Sequence, residues 1–462
     1  MRPWTVGIVG GGPGGLFTAH CLMQLARRPI RISLFEGSTR LGGKLLTRRF
    51  EAISARYEAG AAEFYDYSAV DEDPLKSIVT SLGLSTVPLS GSAVVMDGVM
   101  LGCVEDWETQ LGVDATSSIL EFDRRSKASE SPGEYYDSGT LGWAEVHATD
   151  SAVDVSGDRF VTEIARVRHP VARRYLEVLL KSDLATEPTA TSLRYGRQNY
   201  LMNDPAYMGL YAIAGGNEQL VSRLTDVIDV DRHIGRRVTA VGRSDAGRIA
   251  VTVLDAAGHA DAIGFDVVVL ALPMNHLRQL TWTSPRLEVA MRRHITGHDH
   301  PGHYLRITAA FDRPFWRRTV RDSFFMLDRF GGCCLYDESA REPGLHQGVL
   351  GCLLGGDAAR RMASLGDDEI VGAVLGSLPQ SLGIGRLLEA HVHRWTDAVS
   401  GLPGGCRPLP LDQRHRPEPI EHDRLFLVGD YLFDSTLNGV LDSASYVADW
   451  IVALLDMGPF HR

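Results

Sequence analysis

The chain has 462 residues, 44% hydrophobic and 23% charged, which is material for two or three structural domains around a large core. Its 58 acidic and 47 basic residues give a net charge of −11, which argues against a nucleic-acid binder or a surface drawn to anionic lipid. No apolar run is long enough to span a membrane, no leader-like segment precedes the first strand, and the six cysteines lack paired spacing, so the sequence predicts a cytoplasmic protein with reduced thiols.

The first 36 residues carry the strongest local signal. Val6 to Val9 reads as an apolar strand running into GGGPGG, in which Gly10, Gly12 and Gly15 keep the G-x-G-x-x-G spacing around Pro13 and Gly14. A helix is predicted from about Leu16 to Arg27, then a strand from Ile30 to Phe35 that ends in Glu36, 21 residues after Gly15. Strand, glycine turn, helix, strand and acid make a dinucleotide-binding unit. Gly10 permits the turn, Gly12 admits a pyrophosphate to the helix N-terminus, Gly15 lets helix and strand pack, and Glu36 accepts hydrogen bonds from a ribose.

Further along, Arg124 to Thr140 reads as an exposed loop, and Glu163 to Leu184 has helical spacing broken at Pro170. HIGRRVTAVGR and RIAVTVLD read as two strands, and Phe265 to Pro273 as a buried one. His294, His298, His300 and His303 are close enough to suggest metal ligation, but a solvated loop is the reading preferred here. Cys333 and Cys334 read as buried thiols. HYLRITAAFDRPFWRR, His303 to Arg318, is a strand closed by a Pro-Phe-Trp turn.

The residues after Glu36, GSTRLGGK, resemble the flavin-containing amine oxidase family, which includes monoamine oxidases and L-amino-acid oxidases. Arg40, Gly42, Gly43 and Lys44 match its Arg-x-Gly-Gly-Arg/Lys motif around the FAD pyrophosphate. Tyr57-Glu58-Ala59-Gly60, continuing to Ala61 and Ala62, resembles the segment that passes beside the flavin ring. AGGNEQLVSRL resembles the family's Gly-Gly helix start, and Val238 falls where its backbone meets the adenine. Trp395 matches the aromatic before the isoalloxazine loop. Gly429 and Asp430, followed by Thr436, Leu437, Asn438 and Gly439, resemble the closing flavin segment, whose helix N-terminus faces the flavin. The resemblance implies an α/β fold: a Rossmann-type FAD-binding domain built from about 1–70, 205–285 and 390–462. A mixed-sheet substrate domain would come from 71–204 and 286–389, with a helical region at about 115–190.

The resemblance also marks departures. The family's lysine, which holds a water against the flavin, sits ten residues before the Trp; here that position is Arg306, and no lysine follows Lys181. Arginine cannot serve as a base and presents a flat fork suited to an oxygen ligand. Where the amino-acid oxidase branch has a carboxylate-binding arginine, this chain has Glu63, which suits an amine or amide N–H. Thr436 replaces a cage tyrosine, so a wider pocket is expected, with Tyr65, Phe324, Phe325 and Tyr336 as candidate walls. Cys406 stands near the position of a flavin-tethering cysteine, but non-covalent FAD is expected. The resemblance implies an oxidase that takes a hydride equivalent from a carbon next to nitrogen. Glu63 would orient or deprotonate the nitrogen, and Arg306 would bind a substrate oxygen or pair with Glu63. A small secondary-metabolite substrate such as an antibiotic intermediate, dioxygen as acceptor and a homodimer are the further expectations. An L-amino-acid oxidase holding its substrate through Arg306, and a C–C desaturase, are the alternatives.

Overall fold

The computed structural model describes residues 2–140, 159–342, 344–401 and 409–457. Its first layer is a parallel sheet of five strands in the order Asp231–Ile234, Ile30–Glu36, Trp4–Val9, Val267–Leu270, Leu425–Leu427. Parallel strands are covered on both faces and read as continuous apolar runs. Val6, Ile8 and all of Val267–Leu270 are accordingly fully buried. The helices Pro13–Leu25 and Leu437–Met457 cover one face through Leu16, Phe17, Leu441 and Val447.

The first helix begins three residues before its predicted start because Pro13, with its fixed φ, occupies the first helical position. It stops at Leu25 as Ala26 turns extended on the way to Pro29. Gly10 makes the turn at φ +109°, and a Cβ on Gly15 would lie 2.0 Å from the Gly10 carbonyl oxygen. HIGRRVTAVGR is two strands rather than one. Gly235 at φ +69° divides Asp231–Ile234, in the parallel sheet, from Arg237–Arg243, which joins a second sheet with Ile249–Leu254 and Ala260–Phe265. The predicted Phe265–Pro273 strand likewise shortens to Val267–Leu270. Asp266 breaks the run by turning its carboxylate to Thr5, accepting from both its N–H and its hydroxyl at 3.0 Å.

The second layer is a seven-stranded mixed sheet in the order Leu387–Ser400, Pro301–Phe311, Gly348–Gly355, Cys333–Asp337, Phe324–Leu327, Val94–Met96, Val99–Leu101. The HYLRITAAF strand lies inside it, bonded on both sides. Its Pro-Phe-Trp turn is a packing device: Trp316 is fully buried, edge-on to Phe311 and Phe315. Cys333 and Cys334 are buried thiols on the fourth strand.

Two sequence readings fail here. The segment 124–140 is not a loop: the helix Val113–Ser129 runs into it, burying Ile119 and Phe122, and a second helix spans Pro132–Thr140. Its polar composition belongs to exposed helix faces. Ser131 exchanges hydrogen bonds with Glu134, the reciprocal cap that opens a helix. The expected solvated histidine loop is regular structure at both ends, with His303 on the strand Pro301–Phe311 and His300 between the elements. His294 and His298 lie on Pro285–His298, with His294 only 4% exposed, and among the described residues no group of three or more His, Cys, Asp or Glu is placed to hold a metal ion. Pro170, by contrast, does open a new helix, Pro170–Lys181. Among the described residues no helix is long and apolar enough to cross a membrane.

Candidate active site

A cavity of about 1150 Å³ runs from the glycine turn of the parallel sheet to the face of the mixed sheet. Pockets for one small ligand fill roughly 300–1,000 Å³, so the space suits a cofactor with a substrate beside it. At the first end lie Gly10, Gly12, Pro13 and Gly14, and the helix N-terminus they form has no acidic residue in its first turn. A Cβ on Gly12 would meet nothing nearer than Gly43 Cα at 3.9 Å, so the absent side chain leaves a cradle between the two glycines. Glu36 accepts from Gly11 N–H at 2.9 Å and Ser38 N–H at 2.7 Å. Arg40 lines the cavity but donates to the carbonyls of Leu41, Gly43 and Leu45 and meets Glu218, so its guanidinium also ties its own loop together. Lys44 meets Asp430 at 3.4 Å, bringing the first and last cofactor motifs to one place. Val238, Gly429, Leu437 and Asn438 line the same wall. Gly15, Gly42 and Gly439 do not line it; Gly439 donates its N–H to Thr436 Oγ1 at 3.0 Å, and that cap opens the last helix.

Amide donors at a helix N-terminus, a flanking lysine and an acid at the second strand end are the donor set a dinucleotide requires. The residues present fit FAD.

The segment Ala59–Glu63 crosses the middle of the cavity and is pinned from both sides. Gly60 sits so close to Lys44 that a Cβ would lie 1.9 Å from its carbonyl oxygen, Ala61 N–H donates to that oxygen at 3.0 Å, and Trp395 Nε1–H donates to Ala59 O at 2.7 Å. Ala61, Ala62 and Glu63 then face the cavity.

Beyond it, Arg306 is 1% exposed. Its Nε–H donates to Glu58 O at 2.5 Å, and its Nη2–H donates to Glu338, a carboxylate itself 2% exposed. Burial disfavours this guanidinium's charge, but the Glu338 carboxylate outweighs it and holds the group protonated. Gly351 makes the pair possible, since a Cβ there would lie 2.6 Å from Glu338 Oε1 and 3.2 Å from Arg306 Nη2. The expected Arg306–Glu63 pairing is therefore replaced by an Arg306–Glu338 salt bridge, and Tyr336 stands between Arg306 and Glu63. Its ring centroid is 5.0 Å from the guanidinium carbon, and its hydroxyl donates to Glu63 Oε1 at 3.0 Å. Glu63 Oε2 is buried without a hydrogen-bond partner. Burial raises the Glu63 carboxyl above the usual range, and the nearby Arg306 charge opposes that rise. Glu58, behind it, is pushed up to about 7, by burial first, against the pull of Arg341.

Tyr65, Tyr336 and Thr436 line the cavity, whereas Phe325 is fully buried in the core beneath the mixed sheet and Phe324 packs into the helical core. Cys406 lies outside the described residues. Four further residues shape the site: Asp183, Tyr195, Tyr304 and Glu338. Tyr304 carried a signal, because it stands two residues before Arg306 and alternation puts both on one face of the strand. Glu338 carried one only in the sense that a buried arginine demands an acid. Asp183 and Tyr195 arrive from the helical region and had no local mark.

A family model described as flavin containing amine oxidoreductase matches residues 13–452. Among solved structures, a putrescine oxidase with putrescine bound aligns at TM-score 0.72 and 18% identity, covering 98% of this chain and 99% of that one. A cyclohexylamine oxidase from Brevibacterium oxydans aligns at 0.73 and 19%, covering 98% and 100%. A proposed protoporphyrinogen oxidase from an Exiguobacterium species gives 0.72 and 18%, again over 98% and 100%. At such identities these likenesses speak to the fold. Prenylcysteine oxidase 1 of Rattus norvegicus is 34% identical over 92 residues, which is 20% of this chain and only 17% of that protein's length. With the family match running over nearly the whole sequence, the chain belongs to the flavin-containing amine oxidoreductases and is by that membership an FAD-dependent oxidoreductase.

Proposed function

We propose that the chain oxidises a small-molecule amine at the carbon next to nitrogen, giving an imine. The observation that carries this reading is Glu63, a carboxylate facing the cavity with one oxygen fixed by Tyr336 and the other without a partner. A buried acceptor left unpaired is costly, and the N–H of a bound amine satisfies it. FAD supplies the hydride acceptor when bound. Gly12, Gly14 and Lys44 would hold its diphosphate and Glu36 a ribose. Glu63 orients the substrate nitrogen and takes its proton, which its raised pKa favours. Tyr336 fixes the carboxylate in place, and Arg306 sets the local potential without moving a proton. Dioxygen as final acceptor, a homodimer, and the FAD domain drawn from 1–70, 205–285 and 390–462 belong to the same reading.

The amino-acid alternative is weakened because Arg306 is already bound to Glu338 and to Glu58 O, and because Glu63 repels a substrate carboxylate. Thr436 in place of a larger side chain leaves room for a bulkier amine, which is consistent with a secondary metabolite such as an antibiotic intermediate. Anaerobic titration of the holoenzyme with amines, amino acids and hydroporphyrins tests the reading. Bleaching of the flavin band by amines, with peroxide formed when air returns, supports it. Bleaching by amino acids or hydroporphyrins alone overturns it.

A further inference from the structure

We propose that Asp183 is a second substrate-binding carboxylate, which with Glu63 holds the ammonium group of a cationic substrate and selects against neutral and anionic molecules. This rests on the amine reading of the site. Asp183 stands two residues past the helix Pro170–Lys181 and lines the same cavity as Glu63, although the two come from different parts of the chain. Its position is fixed: Tyr304 donates its hydroxyl to the Asp183 main-chain oxygen at 2.7 Å, and Asn199 donates to Oδ2 at 3.3 Å. Among the described residues no donor reaches Oδ1. A surface acid needs no such frame; a carboxylate held at a cavity wall has been given a direction.

The charge balance points the same way. Glu63 is faced by Tyr336, Arg306, Arg341 and Glu338, and Asp183 by Tyr65, Tyr195, Tyr304 and Asn199. Of the two cations in that set, Arg306 is hydrogen-bonded to Glu338, and Arg341 stands 3.8 Å from Glu58. Glu63 and Asp183 share the cavity, and among the described residues neither carboxylate forms a salt bridge. Burial, and then the Glu63 charge, push the Asp183 carboxyl far above its usual range. A bound ammonium supplies the missing positive charge, donates to Glu63 Oε2 and Asp183 Oδ1, and lies against the tyrosine faces, which attract cations. A carboxylate-bearing or neutral molecule gains none of this.

The test is equilibrium binding of tert-butylammonium to the holoenzyme, followed by calorimetry and by perturbation of the flavin spectrum. This probe has no hydrogen on the carbon bearing nitrogen and cannot be oxidised there. Wild type is expected to prefer it to neutral tert-butanol by about tenfold or more, and Asp183→Asn to lose about tenfold or more in affinity for the cation alone. Asp183→Glu is expected to restore part of that loss. Binding of the cation by Asp183→Asn within about twofold of wild type overturns the proposal, as does an equal loss for tert-butanol, which marks a merely structural role. Should Asp183→Asn not fold, wild type decides: no preference for the cation over tert-butanol overturns the proposal. If amines bleach the flavin but Asp183→Asn keeps its grip on the probe, only the Asp183 assignment falls. If the probe binds through Asp183 but no amine reduces the flavin, only the reaction reading falls.

Discussion

Replacing Glu338 by Gln tests the central ion pair without changing its shape. Arg306 and Glu338 both have side chains 1% exposed, so neither charge can turn to water when its partner goes. Breaking such a pair from one side costs about 3–5 kcal/mol. Glu338 Oε2 also accepts from Glu58 N–H at 2.8 Å, and the Gln carbonyl can still accept one of these donors, so the lower end, about 3 kcal/mol, applies. With a urea m-value of about 3 kcal/mol/M, the unfolding midpoint falls by about 1 M. Urea titration of the holoenzyme, followed by tryptophan fluorescence and by flavin release, measures it. The double variant Arg306→Met, Glu338→Gln should cost less than the sum of the singles by about 1 kcal/mol or more, because the uncompensated charge is gone. A Glu338→Gln protein within about 0.5 kcal/mol of wild type, or an additive double variant, refutes the claim that this pair fixes Arg306.

Glu63→Gln should bind FAD as wild type does yet slow anaerobic flavin reduction by about 10²-fold or more, the usual worth of a positioned base; an unchanged stopped-flow rate removes Glu63 from the chemistry. Glu58, raised to about 7, holds its proton more tightly folded than unfolded, so its stabilising contribution is complete below about pH 4.5 and is lost as pH rises through about 7. The loss is on the order of 3 kcal/mol, and Glu58→Gln should flatten that part of the melting-temperature profile; identical profiles for the two proteins contradict the shift. Gly60→Ala forces a Cβ to within 1.9 Å of Lys44 O and should yield protein without flavin or no folded protein, whereas full flavin content contradicts the close approach. Arg306→Lys offers one ammonium where a fork served both Glu58 O and Glu338, so it should lower stability by about 1–3 kcal/mol. Faster reoxidation by dioxygen with unchanged stability would instead make Arg306 a plain stand-in for lysine.

What could be read in advance followed the range of the physics involved. The Gly10–Glu36 unit was legible because its constraints are local: a turn, a helix start and a close packing contact, each written within a few residues. Of the seven-stranded sheet only the strand Pro301–Phe311 was legible, closed by its Pro-Phe-Trp turn; its neighbours and their order were not, because register is set by partners far along the chain. Arg306 could be placed by counting back from Trp316, but its acid could not. Glu338 reaches it only because Tyr336 pairs with Gly351 and Arg306 with Leu353 across neighbouring strands. The acid that the family alignment places beside the flavin, Glu63, is the natural candidate from sequence, and the Tyr336 ring that separates it from Arg306 has no voice there. Segment 124–140 failed differently. Its Ser-Pro-Gly-Glu start is a helix-opening pattern, and its polar residues were read as a loop when they are an exposed helix face.

The Arg306 substitution changes which groups can handle protons. A guanidinium tied to Glu338 and Glu58 O keeps its charge throughout and has no proton to give at working pH. It acts on the cavity only through its field, which opposes the rise of the Glu63 carboxyl. Proton transfer at this end is therefore left to carboxyls. Two of them, Glu63 and Asp183, face the cavity, and a third, Glu58, lies directly behind Arg306 and titrates near neutrality. The strain of burying so many acids is held down by two arginines that never change state. An arrangement in which the cations are fixed and the anions titrate is suited to receiving a protonated amine and releasing it from its proton before the carbon–hydrogen bond is broken. A lysine at position 306 could lose its own proton and would compete for that task.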